Sequence, residues 1–319
     1  MATGEQIKAL IKAHYGKDDN KFKTVVLQIA AAEARAGHTA LARELKDTVE
    51  KVVTSGNIIK FKSENELFQY VIPDNKSSEL VVSEEIQIRI ERILSEYRQR
   101  EKLNKFGMKN RRKILVEGLP GTGKTLTAYV LASELNLPLY IVQMDKIVTK
   151  FMGETSAKLR QIFEMINGNR GLYLFDEFDA IGADRSLDNE VGEMRRVLNS
   201  FLQFLEQDDS DSIIVAATNN HKMLDPALFR RFDDILHYSI PDEEQIRQLI
   251  KIRLGEFYST KLGSAKVIEK AYTLSHAEIS KSCEDCIKYA ILNDAIVTSD
   301  LLIQCLSERI SAYVGREVK

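Results

Sequence analysis

Eight consecutive residues, Gly118-Leu119-Pro120-Gly121-Thr122-Gly123-Lys124-Thr125, fill every fixed position of the phosphate-binding pattern GxxxxGK[ST]. Glycines at that spacing let backbone N–H groups close around phosphates, and a helix beginning at the loop's end adds its partial positive charge. The lysine reaches β- and γ-phosphates in such loops, and the hydroxyl beside it holds Mg²⁺. ATP or GTP is therefore the expected ligand, with Mg²⁺ as its cofactor. Gly118, Pro120, Gly121, Thr122, Gly123, Lys124, Thr125 and Leu126 are the expected contacts. About fifty residues later, the apolar run Leu172-Tyr173-Leu174-Phe175 delivers two adjacent carboxylates, Asp176 and Glu177. Asp176 would complete the metal shell begun by Thr125. Glu177 would orient or deprotonate the water that attacks the γ-phosphate.

These groups need a scaffold that brings loop and carboxylates to one edge. Lys113–Glu117 is predicted as a short buried strand running into the loop, and Leu126–Leu135 as the helix leaving it. Further strands are predicted at 138–142, 171–175, 212–217 and 235–239, separated by helices. That alternation predicts an α/β domain over residues 85–240 built on a parallel five-stranded sheet, with nucleotide at the strands' carboxyl ends. From 241 to 319 the pattern is helical only, predicting a small helical lid. Apolar positions at helical spacing in Gln6–Ala13, Phe22–Ala36 and Thr39–Val53 predict a three-helix bundle over residues 1–55. Residues 56–84 read as a linker, and a long helix is expected from Val81 to about Lys102.

Composition narrows the function classes. The chain has 319 residues, 44% of them hydrophobic, and a net charge of −2, so several compact units are expected and a generally nucleic-acid-coating protein is not. No apolar run approaches bilayer length and the start lacks a secretory core, so the expected location is the cytoplasm. Cys283, Cys286 and Cys305 are its three cysteines, an odd number without framework spacing. Cys283 and Cys286 form a CxxC inside a helical pattern and are read as buried helix positions. Between Arg98 and Lys113 eight cations face Glu101 alone, a net +7. That run fits either a nucleic-acid stripe or a solvated helix end; with Phe106 as its only aromatic, the second reading is the commoner one.

Together, the loop and the Asp176-Glu177 pair resemble an AAA ATPase of the AAA+ superfamily, a P-loop NTPase fold, over about residues 85–315. The resemblance extends to Ala216-Ala217-Thr218-Asn219-Asn220, which matches the family's sensor-1 segment and implies that Asn219 polarises the attacking water. Leu224 to Asp233 matches the region that in the family holds arginine fingers reaching into the neighbouring subunit. Here Arg230 and Arg231 are adjacent, two residues closer than usual, and either is a candidate finger. Ser275-His276-Ala277-Glu278-Ile279 resembles the lid element that packs near adenine, with His276 in place of a glycine; His276 and Ala277 join the expected nucleotide contacts.

Lys150-Phe151-Met152-Gly153-Glu154 resembles the aromatic-hydrophobic-glycine pore loop of AAA unfoldases, ahead of a helix expected from Ser156. A Phe-Met pair is also ordinary core material, the lesser of the two readings of Phe151 and Met152. Gly182–Gly192 would be a second pore-facing loop. The resemblance implies a homo-oligomeric ring, a hexamer, remodelling or translocating a protein substrate chosen through the N-terminal bundle. Its alternatives are an ATP-gated scaffold that activates an effector, as in small bacterial AAA proteins encoded beside subtilisin-like proteases in phage defence, and a nucleic-acid-linked motor.

Overall fold

Runs of four to six apolar residues become strands buried on both faces, and the helices between them cover those faces. In the computed structural model the described residues are 19–35, 37–39, 66–147, 152–179, 190–219 and 229–314, with single positions between 4 and 43. The chain divides into two compact units, Met1–Asn65 and Glu66–Lys319.

In the first unit, helix α1 (Asp19–Arg35) is the middle one of the three expected. Val25, Val26, Ile29 and Ala30 are buried apolar residues on it. Glu33, 3% exposed, bonds the imidazole of His38 at 2.7 Å. The first and third expected helices lie outside the described residues apart from scattered positions.

The second unit opens on strand β1 (Phe68–Val71) and continues through α2 (Glu84–Arg98), α3 (Arg100–Lys105), β2 (Lys113–Gly118), α4 (Lys124–Glu134), β3 (Leu139–Val142) and α5 (Met144–Ile147). There follow α6 (Met152–Gly168), β4 (Leu172–Phe175), α7 (Glu190–Gln207), β5 (Ile213–Thr218) and β6 (Asp234–Tyr238). Four further α-helices complete it: α8 (Glu243–Leu254), α9 (Ala265–Ala271), α10 (His276–Leu292) and α11 (Ser299–Val314). The sheet order is β1-β3-β4-β5-β2-β6. All five expected strands are present and mutually parallel, so their carboxyl ends share one edge.

Two expectations are corrected. Residues 68–71, placed in a linker, form a sixth strand antiparallel to β3, because Phe68 packs edge-on against Tyr140 and Tyr173. The long helix stops at Arg98: Gln99 leaves the helical region (φ −104°, ψ 16°), and the Arg100 guanidinium returns over the Tyr97 ring at 5.0 Å.

One core lies between α2, α4 and the sheet; a separate core joins α8–α11 into the lid. Cys283 and Cys286 belong to that lid core, and burial pushes the Cys283 thiol up to about 12. No helix among the described residues is long and apolar enough to cross a membrane. Most of the basic run is used inside the fold. Arg98 pairs with Glu134, Lys109 with Asp209, Arg111 with Glu96 and Asp234, and buried Arg112 with Asp208; Lys113 donates to the carbonyl of Leu205.

Candidate nucleotide site

Strand β2 is buried through Val116 and Glu117 and ends at Gly118, because Leu119-Pro120-Gly121 leaves the ladder and Pro120 has no N–H to give it. The chain turns and enters α4 with Gly123 at its N-cap in the left-handed region (φ 104°), with no side chain capping the helix N-terminus. The exposed helix N–H groups therefore face the loop's hollow. Gly121 has φ 76°, and a Cβ there would lie 2.6 Å from the Ser275 hydroxyl, so the lid rests directly on the loop. Ala277 N–H donates to Gly121 O at 2.9 Å across the same contact.

Lys124 Nζ donates to the carbonyls of Gly118 and Leu119, both at 2.8 Å. Burial lowers its pKa from the ordinary lysine value, with Asp176 and Asp179 opposing that shift. Its ammonium sits on neutral oxygens beside the hollow, where an incoming anion gains from the low local dielectric. Thr122 is buried and turned inward, its hydroxyl on Leu119 O at 2.8 Å.

The ends of β4 and β5 form the wall beside the loop. Thr125 Oγ1 donates to Asp176 Oδ2 at 2.8 Å, bringing together the two oxygens expected to hold Mg²⁺. This donor set fits a hard cation, since hydroxyl and carboxylate oxygens are what Mg²⁺ takes from a protein. Glu177 is exposed with φ 51°, an unusual backbone for a side chain-bearing residue. It is held there from both sides: its N–H donates to Asp176 Oδ1 at 2.9 Å, and Phe178 N–H to Ala217 O at 2.8 Å. Such strain persists where surrounding structure imposes it, commonly at functional sites.

Asp179 was missed by sequence reasoning. Its Oδ1 accepts from Thr218 Oγ1 at 3.2 Å and from Asn219 N at 3.3 Å, fixing the segment that carries the exposed Asn219. The signal available was its place two residues after Glu177 at the same strand end.

These groups border one cavity of 560 Å³. Pro120, Gly121, Lys124, Thr125 and Leu126 form its floor, Asp176, Glu177 and Asn219 one wall, and His276 and Ala277 part of the lid wall. Arg253, Ser280, Lys281 and Glu284 of the lid, also missed, line the rest of that wall. His276 is buried at the start of α10, above a capping box in which Ser275 N–H donates to Glu278 Oε2 at 2.7 Å. Burial lowers its pKa to about 4, the Val81 backbone and Asp242 opposing only in part, so the ring is neutral near pH 7.

The other expected residues lie outside the cavity lining. Gly118 is behind the loop against β6. Arg230 is exposed, and Arg231 pairs with Glu206 of α7 at 2.7 Å. Met152 and Gly153, expected in a loop, instead open α6 four residues ahead of Ser156, with Glu154 in the first turn, where a carboxylate complements a helix N-terminus. Phe151 and 181–189 lie outside the described residues.

Residues 114–240 match the family described as "ATPase family associated with various cellular activities (AAA)". The chain is 32% identical over 301 residues to an "Uncharacterized AAA family ATPase" of Sinorhizobium fredii, covering 92% of this chain and 90% of that protein. It belongs to the AAA ATPases. As an AAA ATPase it binds nucleotide and hydrolyses ATP. It is also similar to a "Putative 26S proteasome regulatory subunit homolog" of Methanocaldococcus jannaschii, 28% identical over 253 residues, 76% of this chain and 66% of that protein. A "Proteasome-activating nucleotidase" of Methanococcus maripaludis is 31% identical over 226 residues, 69% of this chain and 55% of that one. The chain thus spans nearly all of the first relative and only part of the archaeal two.

Proposed function

We propose that this AAA ATPase assembles into a closed ring, a hexamer, in which each ATP lies between two copies and its hydrolysis does work on a protein substrate. The observation that carries this reading is the separation of the site from the arginine pair Arg230-Arg231. Lys124, Thr125, Asp176, Glu177 and Asn219 gather at one cavity, whereas Arg230 points to solvent outside it. Arg231 is held by Glu206. A guanidinium beside the γ-phosphate stabilises charge that develops in the transition state; the copy's own Arg253 lies on the lid wall, and Arg230, outside the cavity of its own copy, is placed to supply a further one to a second copy. Arg230, with its side chain exposed, is the better placed of the two to reach a neighbour.

Within one copy, Lys124 holds the β- and γ-phosphates, and the Thr125 hydroxyl and Asp176 hold Mg²⁺. Bound Mg²⁺ would neutralise charge on the transferring phosphoryl group. Glu177 takes the proton of the attacking water, Asn219 orients that water, and His276 and Ala277 face the nucleoside. The names of the archaeal relatives favour a protein as the object of the work, gripped by the segment at Phe151-Met152-Gly153 and chosen by the bundle in residues 1–55.

Glu177→Gln should bind ATP without turning it over and accumulate the assembled state. Negative-stain images of that variant with ATP and Mg²⁺ are expected to contain closed rings, and few rings without nucleotide. Dispersed single copies under both conditions would remove the ring from this reading.

A further inference from the structure

Strand β6 connects the arginine pair to the phosphate loop. It begins at Asp234, just after Arg231, and ends at Tyr238. Its start is fixed to β2: the Asp233 carboxylate accepts from the backbone N–H groups of Arg112 and Lys113, each at 2.9 Å. Its end lies against the loop, because Tyr238 is in register with Gly118 and a Cβ on Gly118 would stand 2.3 Å from Tyr238 O. Only glycine permits that approach. The Tyr238 ring then passes beneath the loop, where a Cβ built on Gly123 would meet its Cε1 at 3.8 Å.

The phenol is 6% exposed and hydrogen-bonded to the hydroxyl of Thr127, which has no exposed surface. Thr127 in turn donates its hydroxyl proton to Gly123 O at 3.1 Å, and its backbone N–H reaches the same carbonyl at 3.0 Å. A hydroxyl carries one proton, so with Thr127 donating to Gly123 the bond from Tyr238 must run phenol to threonine. The order is Tyr238 O–H to Thr127 Oγ1, and Thr127 O–H to Gly123 C=O. Burial raises the phenol well above the ordinary tyrosine range and keeps its proton in place.

We propose that Tyr238 is a positioning residue for nucleotide binding, holding the phosphate loop in its binding shape through Thr127 and the Gly123 carbonyl. The physical link is the planar peptide: C=O and N–H of one trans unit point in opposite directions, so pinning Gly123 C=O aims Lys124 N–H the other way. Lys124 opens α4, and its N–H is one of the unsatisfied donors of that helix start. A loop whose donors are already aimed binds phosphate without losing further conformational freedom. Because Arg230 and Arg231 lead into the start of β6 and Tyr238 ends it against Gly118, this one strand runs from the arginine pair to the loop. The inference rests on the nucleotide reading of the cavity.

The test measures dissociation constants for ATP and for inorganic triphosphate, with KM and kcat, on the full chain. Tyr238→Phe keeps the ring and removes the donor. It should weaken both ligands about three- to tenfold, the loss appearing in KM with kcat changed less than about twofold. Thr127→Ser, which keeps the hydroxyl, should bind as wild type does. Thr127→Val should match Tyr238→Phe, and combining the two should add little, since both break one chain. If Tyr238→Phe does not fold, the two Thr127 variants decide alone. Unchanged dissociation constants in a Tyr238→Phe protein of lowered Tm would leave Tyr238 a packing residue and overturn the proposal, as would a Thr127→Ser protein as weak as Thr127→Val. A wild-type chain that binds neither ATP nor triphosphate would sink the nucleotide reading as well.

Discussion

Lys124 and the cations between Arg98 and Lys113 are close in sequence and opposite in use. Arg112 is buried with Asp208, Arg111 lies between Glu96 and Asp234, and Arg98 and Lys109 each have a carboxylate of their own. Lys124 rests instead on two neutral carbonyls. A cation already matched to a carboxylate offers an incoming phosphate little, whereas one seated on neutral oxygens in a half-buried hollow keeps its charge for the ligand. The same contrast separates Arg230, exposed, from Arg231, paired with Glu206. Partnership in the fold, which local charge density does not reveal, sorts these residues into structure and chemistry. The alternative of a nucleic-acid stripe loses four of its eight cations by the same argument.

The largest expected effect tests the arginine pair. Arg230→Ala should retain ATP affinity and lose about 10³- to 10⁵-fold in turnover, the range for an arginine supplied in trans. Arg231→Ala removes a partly exposed ion pair worth about 1 kcal/mol or less, and should cost far less activity. Steady-state ATPase assays on both variants decide. Equal losses would dissolve the distinction, and a larger loss at Arg231 would reverse it.

Next comes a crossed pair. Arg112→Ala leaves the Asp208 carboxylate, which has no exposed side-chain surface, without its partner, and should lower stability by about 3–5 kcal/mol while the folded protein still binds ATP. Lys124→Ala should do the reverse, abolishing measurable ATP binding with Tm nearly unchanged. Denaturant titration beside nucleotide binding separates them. If Arg112→Ala loses affinity in proportion to stability, the two groups of cations are not distinct.

How much of this was legible in the sequence depended on whether the cause was local. Strands β2 to β6 and the loop were legible because apolar runs, glycines and the GxxxxGK[ST] spacing act within a few residues. Strand β1 was not: Phe68–Val71 stands alone among Pro, Asn and Ser, and its register partners on β3 run from Leu139, opposite Val71, to Val142, opposite Phe68, far along the chain. The fate of the basic run was illegible for the same reason, since Glu134, Asp208, Asp209 and Asp234 arrive from distant elements. In the site, Asp176 and Glu177 were visible as a strand end. Asp179 mattered only once β5 brought Thr218 and Asn219 against it, and Tyr238 only once β6 passed under Gly118.

His276 is a third kind of site residue, a base kept uncharged, and it gives the smallest effect. Its folded pKa of about 4 lies below the ordinary 6.5, because burial at the lid wall costs the charged ring its hydration. Asp242 favours the charge without restoring it. The sign follows from proton uptake. Between those values the unfolded chain binds a proton that the folded one refuses, so the stability present above pH 6.5 is lost as pH falls toward 4. From pH 6.5 to about 5 the loss attributable to this residue should be about 2 kcal/mol, and His276→Gln should lack it. Denaturant midpoints of both proteins across that window measure the difference. Parallel curves would mean that the ring finds a compensating partner on protonation, and His276 would then join the paired cations on the structural side of the division.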